Sequence, residues 1–101
     1  MSFSMTTIDD IGALSDVPVL AVTDGSAVSH TITSAKKGII LMNVGANLAW
    51  YGGSTVNATT PRGVILLPRY MLVFRNVTSD FKVYFQCETS QTTTIGIVEY
   101  D

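Results

Sequence analysis

The sequence predicts an all-β protein: an antiparallel β-sandwich or jelly-roll-like barrel of about eight short strands. Three observations predict it. From residue 17 onward, apolar and polar residues alternate with a period of two, or form short apolar runs, with no helical period of useful length. Turn signals built from Gly, Pro, Asn and Asp recur about every 8–12 residues. Only 14% of the 101 residues are charged, and the polar character comes from 13 Thr and 9 Ser. Threonine is β-branched and suits a half-exposed strand.

Residues 1–16 carry no period, because Asp9, Asp10 and Asp16 interrupt the apolar residues. They predict an N-terminal arm, and residues 17–101 the β-sandwich domain. Ile8, Ile11 and Leu14 fall on one helical face, but the segment is too short for a helix stable alone. Such a face suits docking into a groove on a partner.

Val17 to Thr23 is the first predicted strand, with Pro18 marking a strand start or an edge. Asp24-Gly25 turns the chain. Ala27 to Thr33 alternates, placing Val28, His30 and Ile32 on one face. Lys37 to Val44, KGIILMNV, is apolar on both faces and reads as a central strand. Gly45 to Asn47 turns into Leu48–Tyr51. Residues 52–62 form a loop rich in Gly, Ser, Thr and Asn, expected at one end of the sandwich. Strands follow at 63–67, 70–76, 81–88 and 92–100. Phe81, Val83, Phe85 and Cys87 share a face in the third of these, and Ile95 and Ile97 point inward in the last.

The bulk numbers exclude several classes. A net charge of -2, with Lys36-Lys37 as the one basic pair, offers no surface for nucleic acid. No apolar run approaches the ~20 residues needed to span a bilayer. The segment MSFSMTTIDD lacks a basic stretch followed by an apolar core, so no signal peptide is expected. A single cysteine, Cys87, excludes an internal disulfide. Synthesis and assembly in a cytoplasm are the expectation.

Catalysis needs a proton shuttle or a nucleophile with a partner. The chain has one His and one Cys. The plain reading makes His30 a semi-buried imidazole and Cys87 a core thiol, with a Cys–His dyad as the sharper alternative. No serine lies in a G-x-S-x-G elbow. Histidines and cysteines are too few for a zinc site, and Asp9-Asp10 is too sparse for calcium. Gly52-Gly53 precedes no helix and makes no phosphate cradle. The sequons at Asn57 and Asn76 read as coincidence in a Thr-rich chain. The expectation is a non-enzyme with no metal and no cofactor.

The aromatic pair remains. Trp50 and Tyr51 are adjacent on a strand, so their side chains point to opposite faces unless a bulge at Gly52-Gly53 re-aims one. One filling the core and the other capping the sheet is the plain reading. The alternative is a carbohydrate-binding module in which Trp50 stacks on a sugar, with Asn47, Asn57 and Arg62 around it.

The stretch KKGIILMNVGANLAWYGGSTV, then a loop, RGVILLP, an aromatic-rich strand and the finish TTTIGIVEYD resemble small tailed-bacteriophage virion proteins. The hallmark is a GxxLxNxG strand and turn, here Gly38, Leu41, Asn43 and Gly45, followed by Tyr51-Gly52-Gly53. The resemblance covers residues 26–100 and implies a jelly-roll-like sandwich without catalytic residues. It implies a capsid decoration or cement protein, or a tail or head-fibre component. The partners it implies are the major capsid protein or other virion subunits, in an oligomer of like copies within the virion. The expected interface residues are Ile8, Ile11 and Leu14 of the arm, with Trp50, Tyr51 and Arg62 around the loop. A carbohydrate-binding module using Trp50 and a small enzyme using His30 are the competing readings.

Overall fold

The structure, a computed structural model, describes residues 14–101. Ile8 and Ile11 lie outside the described residues, as does the rest of the expected arm up to residue 13. The described residues form eight strands and no helix: β1 (Leu14–Val22), β2 (Val28–Thr31), β3 (Lys36–Asn43), β4 (Ala49–Gly52), β5 (Val64–Leu66), β6 (Met71–Val77), β7 (Lys82–Gln86) and β8 (Thr93–Tyr100). Two four-stranded antiparallel sheets result. Sheet I has the order β1-β8-β3-β6 and sheet II the order β2-β7-β4-β5.

The order follows from one operation. β1 pairs with β8, β2 with β7, β3 with β6 and β4 with β5, all antiparallel. The chain is a long hairpin whose tip lies between β4 and β5. Rolling that ribbon sends alternate pairs to opposite sheets, and the β3–β8 and β4–β7 ladders then close each sheet. This is the jelly-roll arrangement of an antiparallel sandwich.

Leu14 departs from its expected place in the arm. It is the first residue of β1 and pairs with Tyr100, while Ser15 pairs with Glu99 and Asp16 with Val98. Backbone pairing with β8 extends the strand past the point where apolar alternation stops. The register of β1 slips between Val17 and Leu20, so Pro18 and Val19 form a bulge at the outer edge of sheet I. Proline lacks the N–H of a ladder donor and is tolerated there.

The period-two pattern is realised directly. Ile39 and Leu41 of β3, Ile95 and Ile97 of β8, and Val83 and Phe85 of β7 are buried between the sheets, with Cys87 beside them. β3 is a central strand, and its other face carries Ile40 and Met42 on the outside of sheet I.

The GxxLxNxG hallmark has a packing account. A Cβ on Gly38 would lie 2.2 Å from the Tyr100 ring, so the bare glycine is what lets that ring lie across β3. Leu41 is core. Gly45 is pressed against β8, where a Cβ would meet Thr93 Oγ1 at 2.0 Å and the Thr94 backbone nitrogen at 2.8 Å. Asn43 is fully buried. Its Nδ2 donates to the carbonyls of Asn47 (2.9 Å) and Leu66 (3.0 Å), and its Oδ1 accepts from the Gly45 N–H (3.1 Å) and the Thr93 hydroxyl (2.7 Å).

Because all ladders are antiparallel, the connections alternate between two poles. The β2–β3, β4–β5 and β6–β7 connections share one pole with Leu14 and Tyr100, and the other four connections share the opposite pole. Asn43 lies at the second pole and ties β3, β5 and β8 together there. Asn43→Ala strands several buried partners at once. It is expected to cost about 3 kcal/mol and to lower the melting temperature by about 10–20 °C. Thermal unfolding followed by far-UV circular dichroism checks this.

Candidate functional site

Of the residues expected at an interface, the described ones do not converge on one patch. Leu14 is 63% exposed, on the outer edge of sheet I. Trp50 and Tyr51 part as strand geometry requires. Tyr51 turns inward and packs on Phe85, with ring centroids 6.4 Å apart. Trp50 stands on the outer face of sheet II, between Gln86 and Ile65 in the ladder, and its indole Nε1 donates to Glu88 Oε2 at 3.3 Å.

The 53–62 loop starts at the first pole but does not stand out from it. It folds back over the outer face of sheet II. Val56 is buried beside Gly52 and Gly63, and the Ala58 N–H donates to Gln86 Oε1 at 2.8 Å. Gln86 Nε2 donates in turn to the Gly25 carbonyl at 2.6 Å. The loop is self-braced: Asn57 Oδ1 accepts from the N–H groups of Thr59 and Thr60, and the Asn57 and Arg62 backbones exchange bonds of 3.1 and 2.9 Å. Arg62 is exposed on this short hairpin. The chain turns tightly at Gly53, whose carbonyl accepts from the Val56 N–H at 3.0 Å, and the backbone that only glycine suits falls at Gly63. Gly63 has φ +112°, and a Cβ there would meet the Tyr51 carbonyl oxygen at 2.5 Å.

The polar groups expected around a sugar stacked on Trp50 are directed elsewhere. Asn47 donates to the Thr92 carbonyl and Asn57 braces its own loop. The polar neighbours of Trp50 are Gln86 and Glu88, which sequence reading missed. Gln86 ends β7 opposite Trp50 and Glu88 lies two residues beyond, a placement that only the β4–β7 pairing and the Trp50–Glu88 hydrogen bond reveal.

His30 has a partner the sequence does not mark. Its Nε2 lies 2.7 Å from Glu99 Oε2, joining β2 to β8 across the sandwich, with each side chain 13% exposed. A His30–Cys87 dyad is ruled out by register. His30 pairs with Val83, and Cys87 lies four residues further along that chain segment, about 13 Å away at strand rise. Burial pushes the Cys87 thiol above its ordinary value of 9.0, and the Asp24 and Glu88 carboxylates add in the same direction. The thiol is 1% exposed and makes a weak contact with the Val22 carbonyl at 3.7 Å. It is a core group held protonated.

An apolar cavity of about 240 Å³ opens toward the first pole between Tyr51, Gly53, Phe74, Phe81 and Val83, with Lys82 beside it. β5 has three residues where β6 in the other sheet has seven, so sheet II leaves this end of the interior less covered. Its walls suit an apolar group without directing hydrogen bonds to it.

The largest departure from an ordinary surface lies elsewhere. Nine large hydrophobics are exposed among the described residues, and six of them fall between residues 64 and 73: Val64, Ile65, Leu67, Tyr70, Met71 and Val73. These belong to β5, β6 and the turn between them, at one lateral edge of the sandwich. Their strand side chains do not share a face: Ile65 lies with Trp50 on the outer face of sheet II, and Met71 and Val73 lie with Met42 and Ile40 on the outer face of sheet I. Single exposed apolar residues are ordinary, and six within ten residues of chain make this edge the place to look for a contact. Sequence reading missed it because RGVILLPRYMLV reads as two strands that would each bury a face. No family model, curated protein or solved structure matches the chain.

Three outcomes are expected for the titratable core. His30→Ala leaves Glu99 without its partner and is expected to cost about 1–3 kcal/mol in urea unfolding. Cys87 is expected to resist thiol reagents until the chain is unfolded. Its raised value leaves stability unaffected below 9.0. Above that, the unfolded thiol ionises first and stability falls. Cys87→Ala is expected to show a shallower loss above that pH, measured by denaturant titration.

Proposed function

We propose that this chain is a structural protein that works through protein–protein contacts, in the role of a bacteriophage capsid decoration or cement protein. The observation that carries the reading is the run of exposed apolar residues along the β5–β6 edge, from Val64 to Val73. An apolar surface of this kind is stabilised by covering it with another protein. The low charge, 14% of residues, leaves little electrostatic opposition to such contact. The likeness of GIILMNVG and YGG to small virion proteins supports the phage assignment. The jelly roll is compatible with it, being an architecture that serves viral shells and lectins alike.

In this reading the side bearing Leu67 and Tyr70 lies against shell subunits, and the partner is the major capsid protein or a neighbouring virion subunit. A tail or head-fibre position uses the same surface. The N-terminal segment enters β1 at Leu14, at the pole opposite the β5–β6 turn. The protein acts within the virion, assembled in the host cytoplasm.

Trp50 on the outer face of sheet II, beside Gln86 and Glu88, favours the carbohydrate-binding module as the second reading. Aromatic faces flanked by polar side chains take sugars. The two readings separate experimentally. Co-sedimentation with shells of the phage that encodes the chain is expected for the native protein. Tyr70→Ser, at a side chain 61% exposed, is expected to weaken that binding at least about tenfold with little change in melting. A native chain that ignores such shells, and binds a glycan array through a site lost in Trp50→Ala, overturns the first reading in favour of the second.

A further inference from the structure

The four lateral edges of the sandwich are not alike. An unpaired edge strand presents a row of free N–H and C=O groups, and proteins blunt such edges by shortness, bulges, proline or charge. β2 and β5, the edges of sheet II, have four and three residues. β1 is long but broken by the Pro18-Val19 bulge. β6 is the exception. It has seven residues, no proline and an unbroken register against β3, with Met71 and Val73 exposed. No strand among the described residues pairs with its second edge.

The hydrogen-bond phase tells which backbone groups are free. The Asn43 N–H donates to the Tyr70 carbonyl, so Asn43 and Tyr70 form a hydrogen-bonded pair. Pairs alternate in an antiparallel ladder. Leu72 and Phe74 therefore direct their backbone groups to Leu41 and Ile39. Val44, which donates to the Thr94 carbonyl, independently fixes the same alternation on β3, with even-numbered residues bonded to β8. Met71, Val73 and Arg75 thus aim their N–H and C=O groups away from the sheet.

We propose that β6 pairs antiparallel with β6 of a second copy, on a twofold axis at Val73. The occupant follows from the strand itself. Positive φ at Arg69 (70°) and Asn76 (55°) bounds the regular stretch to Met71–Arg75. Its midpoint is Val73, and the residues with free backbone groups are symmetric about it. A twofold pairing centred there sets Met71 opposite the partner's Arg75 and Val73 opposite the partner's Val73, forming about six backbone hydrogen bonds. Arg75 never faces its own copy, which a register shifted toward the strand end would force.

The side chains agree. On the outer face of sheet I, Val98, Ile40 and Val73 form one rung across three strands, and Gly96, Met42 and Met71 form the next. Pairing at Val73 continues the first rung into its copy and produces an eight-stranded sheet with an unbroken apolar row. The regular stretch is about 17 Å long. The edge alone covers roughly 400 Å² per copy, about half of a standard interface, which fits a micromolar dimer strengthened only within a larger assembly.

The inference rests on the proposed reading of this side as a protein-binding surface, and assigns its β6 portion to self-pairing. Sedimentation equilibrium of the full chain across micromolar concentrations tests it. A concentration-dependent monomer–dimer equilibrium is expected. Val73→Lys, which sets like charges together on the axis, is expected to weaken it about 100-fold, with melting nearly unchanged. Val19→Lys on the bulged edge is expected to leave it intact. Val73→Cys is expected to give a covalent dimer on oxidation, with Cys87 too buried to compete. A native chain monomeric throughout, or a dimer as tight in Val73→Lys as in the native chain, overturns the proposal. Shell co-sedimentation is scored beside it. A chain that dimerises through Val73 yet binds no shell overturns the shell reading alone.

Discussion

The buried carboxamide of Asn43 is the constraint on which the rest of the arrangement hangs. A rolled ribbon must cross from one sheet to the other at each pole, and every crossing leaves backbone groups without a ladder partner. Asn43 answers this at the second pole for two crossings. Its side chain binds the β3–β4 turn at Gly45 and Asn47, the end of β5 at Leu66, and β8 at Thr93. Its backbone binds the β5–β6 turn at Arg69 and Tyr70. A carboxamide supplies two donors and an acceptor oxygen on one short stem, whereas a hydroxyl has a single donor and a carboxylate none. Thr93 and Gly45 then have no latitude, since the space a Gly45 Cβ needs is occupied by β8.

That node also sets the surface. With the β5–β6 turn held against the end of β3, β6 is laid beside β3 as the last strand of sheet I. Its exposed Met71 and Val73, and the neighbouring Tyr70 and Leu67, are displayed as a consequence. At the other pole, Gly63 holds the end of the 53–62 loop close to the Tyr51 carbonyl, while Gln86, at the far end of β7, straps Ala58 to the outer face of sheet II. Among the described residues the β5–β6 edge therefore carries exposed apolar side chains, while the outer face of sheet II is partly covered by the chain's own loop.

Much of the fold was legible in the sequence because β-structure writes itself locally. Alternation in FKVYFQC and TTTIGIVEY marked inward residues correctly, and KGIILMNV, apolar on both faces, marked a central strand. The turn signals at Asp24-Gly25 and Pro68-Arg69 placed the connections. The strand end at Leu14 was not legible, since its pairing with Tyr100 is a contact between residues far apart in the chain. The same holds for Glu99 beside His30 and for Glu88 beside Trp50. The path of the 53–62 loop depended on Gln86, a polar residue that nothing in its own strand distinguishes.

The sequence by itself determined the class of fold, the faces of most strands and the opposed directions of Trp50 and Tyr51, because period-two geometry links each of these to its immediate neighbours. Only the tertiary structure decided the strand order, the position of β6 as the one long regular edge, and the gathering of Val64 to Val73 at one lateral edge. Those depend on how the ribbon rolls, and rolling is fixed by pairings such as β3 with β6 and by the hydrogen bonds of Asn43, whose partners lie up to fifty residues away. A local pattern records which face of a strand is apolar. It does not record whether another strand will cover it.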